Sequence, residues 1–357
     1  MDTAPLAGIR VIDLSQYLPG PYATRILCDL GAEVIKIEPP AGDPLRKMFS
    51  ANGDLDSSVY RMLNRGKSIA RLDLKDPGIM DAFRAIVAEA DVFLESFRPG
   101  VVARLGLGHD HCSSLNPRLI YCSLSGYGQD GPLRLAGGHD INYCAAAGVF
   151  SFSAMHAPPF PLMADHGGAM SAVNAILAAL LGRTRHGRGA VLDISLYETM
   201  LSYQYPATAE SGDGNSELLT VTGGAACYNF YRTADQGVIT LGALEPVFWR
   251  NFCEAMAQPD WTGRQFEAMP QEALIDEVRG AIGSMTLEEV VARLEGVDCC
   301  FEPVPDAAEI HAHRQTVSRC MFSPDRVGYP GRIDGHQPFT DRPTRDLPVG
   351  VLPRWIN

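Results

Sequence analysis

"IRVIDLSQYLPGPYATRILCDLGAEVIKIE", residues 9–38, decides the fold of this chain. It opens on a short, β-rich apolar run, IRVIDLS (9–15). PYATRILCDLG (21–31) then places its apolar residues at helical spacing, with Pro21 in the first turn and Gly31 as a C-terminal stop. AEVIKIE (32–38) is apolar and β-rich again. A strand, a helix and a strand in that order make a right-handed parallel crossover. The alternation continues through ARLDL (70–74), a helix from near Pro77, DVFLES (91–96), a helix over 100–105 and RLIYCSLSG (118–126). The pattern predicts an α/β fold: a parallel sheet with helices on both faces. A nicotinamide dinucleotide is disfavoured as its ligand. The first loop reads SQYLPGP (15–21) rather than GxGxxG, and Pro19 and Pro21 remove amide donors where a pyrophosphate needs them.

Downstream, AMSAVNAILAALLGRTRHG (169–187) predicts a long helix starting near Gly167. It is small and apolar almost all round, so burial on every side is expected. Arg183 and Arg185 suit the negative end of its dipole. GAVLDISLYETML (189–201) adds a strand and a helix. Residues 206–224, with ESGDGNSE (210–217) at their centre, read as a linker. CYNFYRTADQGVITLGA (227–243) predicts a hairpin turning at Ala234–Gly237, followed by helices near 246–257, 271–283 and 286–295. These make a smaller α+β domain over 225–309. From Tyr329 the chain is rich in Pro, Gly and Arg and is expected to lie extended over a surface, its own or a partner subunit's.

The chain has 357 residues, 46% apolar and 20% charged, with a net charge of −12. That charge argues against broad binding to nucleic acid or to anionic membranes, but a few local cations can still hold a small anionic ligand. No basic start followed by an apolar run marks a secretory signal, and no apolar helix is long enough to span a bilayer. Nine cysteines without a CxxC pair indicate reduced thiols and a cytoplasmic protein. His109 and His111 flank Asp110 with no cysteine pair nearby, so a structural zinc site is not expected and these histidines read as exposed loop residues.

The opening stretch resembles the family III CoA-transferase superfamily (CaiB/BaiF type), as do LNRGKSIARLDLKD (63–76), ADVFLESFRPGVVARLGLG (90–108), NPRLIYCSLSGYGQDGP (116–132) and GRGAVLDISLYE (187–198). The likeness runs in order through nearly the whole chain. GGHDINY (137–143), PLMADHGG (161–168) and LGALEPVFW (241–249) are similar to its α-methylacyl-CoA racemase branch. The resemblance implies a Rossmann-like large domain built from both chain ends (1–205 and 310–357), a smaller α+β domain and an interlocked homodimer. It implies an acyl-CoA substrate, with CoA as part of the substrate and no separate cofactor.

Racemisation beside a thioester removes a proton from one face of the α carbon and returns one to the other, through a planar enolate. Two groups on opposite faces do this, and both need proton affinities near working pH. By resemblance they are His139 and Asp165. Imidazole titrates near neutrality unaided. A carboxyl, ordinarily near about 4, needs burial or neighbouring acids to raise it. The N–H of Asp140, at the start of a helix after Gly137–Gly138, is the candidate donor to the enolate oxygen, and its side chain is a candidate cap for that helix. Glu245, by resemblance, orients His139, from the same chain or from the partner. Arg46, Lys75, Arg98 and Arg104 are the candidate CoA contacts, with LPGP (18–21) near the pantetheine path. Pro39 stands where many members carry Arg, which shifts weight to Lys36 or Arg46. His166, beside Asp165, is expected to lower its pKa when charged. Met155 and Met163 line an acyl site or pack in the core.

A racemase or epimerase of 2-methylacyl-CoA thioesters is therefore expected. A CoA-transferase that forms an acyl or CoA intermediate on Asp165 is the alternative. His139 separates the two, since transfer does not need it. A non-catalytic CoA-binding protein is the third reading.

Overall fold

The computed structural model describes residues 4–50, 56–152, 158, 160–209, 216–323, 326–338 and 342–356. The chain divides into two compact units. One comprises Met1–Val149, His156–Tyr203 and Arg314–Asn357, the other Phe150–Met155 and Gln204–His313.

In the first unit the strands are β1 (Arg10–Leu14), β2 (Glu33–Glu38), β3 (Ser68–Arg71), β4 (Val92–Glu95), β5 (Ile120–Ser125) and β6 (Ala190–Ser195). The helices between and after them are α1 (Pro19–Asp29), α2 (Ser58–Asn64), α3 (Pro77–Ala88), α4 (Val101–Arg104), α5 (His109–Leu115), α6 (Asp140–Ala146), α7 (Met163–His186) and α8 (Leu196–Ser202). The order across the sheet is β3-β2-β1-β4-β5-β6, all parallel, with Ile12 opposite Ile35 on one side and Phe93 on the other. Strands covered on both faces become continuous apolar runs, which is why β2 is buried along its whole length.

The second unit holds an antiparallel sheet of β7 (Tyr228–Arg232), β8 (Val238–Gly242) and β9 (Phe301–Pro303). Helices Pro246–Ala255, Glu272–Gly283 and Leu287–Leu294 accompany it, and Trp249, Phe252 and Trp261 are in its core. Near the C-terminus, β10 (Phe322–Ser323) pairs with β11 (Arg326–Val327), and β12 (Arg345–Asp346) joins the large sheet parallel to β3.

Several expectations need correction. The long helix begins at Met163, not near Gly167, so Asp165 sits inside its first turn. It is not buried all round, because Met163, Met170 and Leu181 are exposed in the single chain. The stretch read as a linker contains short helices at Tyr205–Ala209 and Ser216–Leu219, while residues 210–215 lie outside the described residues. His109 and His111 are exposed but helical, since Gly108 starts α5 there. Part of the extended C-terminal stretch is not draped but hydrogen-bonded into the sheet as β12.

Two fully buried lysines lie beneath the β1–α1 loop. Lys67 donates from Nζ to Asp13 Oδ2 (3.2 Å), Thr24 Oγ1 (2.8 Å), the Pro21 carbonyl (3.0 Å) and Asn64 Oδ1 (3.0 Å). Lys36 donates to the Ser15 carbonyl (2.7 Å) and pairs with Asp43 (3.0 Å). Burial alone would raise the Asp13 carboxyl, but Lys67 and Lys36 hold it down at about 2. Burial lowers the Lys67 ammonium to about 8 despite the pull of Asp13. Buried charges are tolerated only with this density of partners.

Candidate active site

The β1–α1–β2 crossover leaves β1 on one side, and the chain returns to the other side of β1 as β4. The loops after β1 and β4 therefore diverge. In open α/β sheets the crevice at such a reversal, outside the carboxyl ends of the strands, is where ligands bind. Gln16 N–H donates to Ser96 Oγ (3.2 Å) and ties the two loops at its base. Lys75 follows β3, Arg98 and Arg104 follow β4, and the loop carrying His139 follows β5, so all four leave the sheet at its carboxyl edge.

His139 is the exposed N-cap residue of α6. Its N–H donates to Asn142 Oδ1 (3.0 Å). The next residue, Asp140, is buried, and its side chain does not cap its own helix as expected. Asp140 Oδ1 instead accepts from Ala164 N–H (2.6 Å) and Asp165 N–H (3.0 Å), which satisfies the first turn of α7. A helix start carries unsatisfied amides and partial positive charge, so an ionised carboxylate is stabilised there. One buried side chain thus fastens the start of α6, which follows His139, to the backbone at the start of α7, which carries Asp165. Among the described residues, no hydrogen bond occupies the Asp140 amide itself, as befits the first position of a helix.

Asp165 is half-buried. Burial and then the neighbouring Asp140 charge push its carboxyl from 3.8 up to about 7. His166 does not offset this rise. Its Nδ1 lies 2.7 Å from the Leu162 carbonyl, and its ring packs edge-on to Tyr22 at 4.9 Å. The guanidinium of Arg98 lies against Gly137, where an added methyl group would stand 3.0 Å from its Nη2.

Arg104 is exposed and folds back over Gly100, and Lys75 is exposed. Lys36 is wholly internal. Arg46 pairs with Glu38 (2.8 Å), Asp56 (2.9 Å) and Asp346 (3.0 Å) and stacks on Tyr60, so its charge is already balanced inside the protein. Glu245, in the second unit, is the exposed N-cap residue of helix Pro246–Ala255, and its side chain makes no cap hydrogen bond. Of the two methionines considered for an acyl site, Met155 lies outside the described residues and Met163 is exposed at the start of α7. Among the described residues no cysteine is in a disulfide, and Cys300 and Cys320 are exposed. Among the described residues no group of His, Cys, Asp and Glu could hold a metal ion, and no helix is long and apolar enough to cross a membrane.

Sequence reasoning missed Tyr143 and Asn142, which both hold the loop that presents His139. The signal was present in GGHDINY, where two glycines precede a helix whose first turns carry both side chains.

The family model described as CoA-transferase family III matches residues 6–339. The chain belongs to CoA-transferase family III. Human α-methylacyl-CoA racemase is 33% identical over 336 residues, covering 89% of this chain and 82% of the relative. Acetyl-CoA:oxalate CoA-transferase of Acetobacter aceti is 31% identical over 358 residues, covering 95% of this chain and 92% of the relative. The crystal structure of Rv3272 from Mycobacterium tuberculosis superposes with a TM-score of 0.80 at 28% identity, covering 96% of each chain. Relatives named as racemase and as transferase both match, so membership of this family makes the chain an enzyme of the CoA-transferase III superfamily and leaves the reaction to be argued from its residues.

Proposed function

We propose that the protein is a racemase or epimerase that interconverts (2R)- and (2S)-2-methylacyl-CoA thioesters by two-sided proton transfer. The observation that supports this reading is the Asp140 bridge, which ties the helix start that follows His139 to the backbone of the helix start that carries Asp165. Burial and the Asp140 charge push the Asp165 carboxyl up to about 7, which suits it to hold and release a proton near neutrality. In one direction His139 removes the α proton and protonated Asp165 supplies one to the opposite face. In the other direction their roles reverse. The Asp140 amide, with the α6 dipole behind it, receives the charge that develops on the thioester oxygen. Donors of this kind are each worth about 3–4 kcal/mol of barrier. Arg98, and beyond it Lys75 and Arg104, meet the anionic part of CoA. CoA is part of the substrate, and the reaction uses no resident cofactor. The working form in this proposal is an interlocked homodimer in the cytoplasm, in which the exposed side of α7 acquires a cover.

The test is incubation with (2R)- and (2S)-2-methylacyl-CoAs in deuterium oxide. Deuterium enters the α position, and His139→Ala and Asp165→Ala each abolish its entry. Absence of exchange across fatty, aryl and dicarboxyl 2-methylacyl-CoAs would sink the proposal. Exchange absent but hydroxylamine-trappable CoA on Asp165 would mark the chain as a transferase instead, a reading favoured by the oxalate-transferase relative's coverage of nearly the whole chain.

A further inference from the structure

The loop Gly137–Gly138–His139 contains two residues without side chains and should be the softest part of the site, because glycine has the most conformational freedom to lose. Each of its three residues is nonetheless held. Arg98 rests on Gly137, and Asn142 accepts from the His139 N–H. Tyr143 Oη donates to the Gly138 carbonyl at 2.6 Å.

We propose that Tyr143 is a positioning residue that fixes the peptide carrying His139 and so aims the imidazole at the substrate carbon. The tyrosine is almost fully buried, and its ring is pressed closely by two glycines. A methyl group at Gly126 would stand 2.6 Å from Cε1 of the ring, and one at Gly138 would stand 2.8 Å from the same atom. Neither position can hold a side chain while the ring stays in place. Tyr127 meets the ring edge-on at 5.1 Å and 78°, and itself lies 5.8 Å from Tyr197. Gly126 lies directly after β5, so the ring spans from the end of the sheet to the loop that presents the histidine. Burial, together with Tyr127 and Asp165 and against Arg98, pushes the phenol up to about 12. The hydroxyl therefore keeps its proton and donates throughout the working range. Core packing alone would be served equally well by phenylalanine. The hydroxyl is what reaches the loop.

The inference rests on His139 being a proton-transfer group, so the experiment separates the two ideas. Tyr143→Phe is made in the full-length chain, and amide hydrogen exchange is followed over residues 136–142, a measurement that needs no substrate. Exchange there rises about tenfold or more while the rest of α6 and the melting temperature hold. With 2-methylacyl-CoA, kcat for α-proton exchange falls roughly ten- to a hundredfold, as expected for an ångström-scale displacement of a reacting group, while KM changes less than about twofold. Unchanged loop exchange overturns the proposal. So does a loosened loop with kcat intact, or loss of protection throughout α6 with a lowered melting temperature, which would make Tyr143 merely structural. Where the parent shows no α-proton exchange, the racemase reading fails by itself, and loop exchange alone decides whether Tyr143 anchors the loop. Gly138→Ala, which drives a methyl group into the ring, is the second variant and loosens the same peptide.

Discussion

Replacing Asp165 by asparagine should make the protein more stable and inactive at once, and the gain in stability should depend on pH. Burial and the adjacent Asp140 charge raise the carboxyl from 3.8 to about 7, so the fold favours its neutral form. The consequence has a definite sign. Stability from a group with a raised pKa is fully present below the unfolded value and is lost as pH rises through the folded value. Over the window from about 4 to about 7 the parent loses stability, because the unfolded chain releases the Asp165 proton while the fold still holds it. The difference is roughly three pH units at about 1.4 kcal/mol each, or about 4 kcal/mol as an upper bound. Partial solvent contact trims this to about 2–4 kcal/mol. An amide in place of the carboxyl carries no charge at any of these pH values and incurs no such cost. Asp165→Asn should therefore melt several degrees above the parent at pH 8, at roughly 2–4 °C per kcal/mol for a unit of this size, and the gap should close as pH falls toward 4. Scanning calorimetry at pH 8, 6.5 and 5 measures it. A gain equal at all three values, or none at pH 8, would refute the reasoning.

Three further outcomes follow from the same geometry. Asp140→Asn keeps an oxygen for the Ala164 and Asp165 amides but removes the smaller of the two causes that raise Asp165. The basic-side limit of the pH–rate profile that reports Asp165 as the acid should move to lower pH by on the order of one unit. An unmoved limit would show that burial alone sets this acidity. Arg98→Ala should raise KM for acyl-CoA roughly tenfold and flatten its dependence on salt, with Arg98→Lys recovering part of the loss; an unchanged KM and salt response would place Arg98 outside the CoA path. Lys67→Met strands Asp13 beneath the β1–α1 loop and should cost about 3–5 kcal/mol in urea unfolding, much of it regained when Asp13→Leu is added.

The order of elements in the large sheet was legible because strand and helix periodicities differ and parallel strands covered on both faces are apolar throughout. β1, α1 and β2 lie close to where their residues predict, and so do the hairpin β7–β8 and the three helices of the second unit. His139 at the start of α6 was legible for the same local reason, since glycines end one segment and polar residues begin the next. β12 was not legible. Two residues, Arg345 and Asp346, have no periodicity, and only the open edge of β3 makes them a strand.

For the site, sequence alone determined which groups can carry protons and in which segments they lie, because side-chain chemistry and helix starts are local properties. Tertiary structure alone decided what those groups can do. Asp140 turns from its own helix to the amides of α7, Arg46 and Lys36 turn inward, and Asp165 acquires a proton affinity near neutrality. A carboxyl's pKa and a cation's availability depend on burial and on charges distant in the chain, and these exist only once the chain has folded.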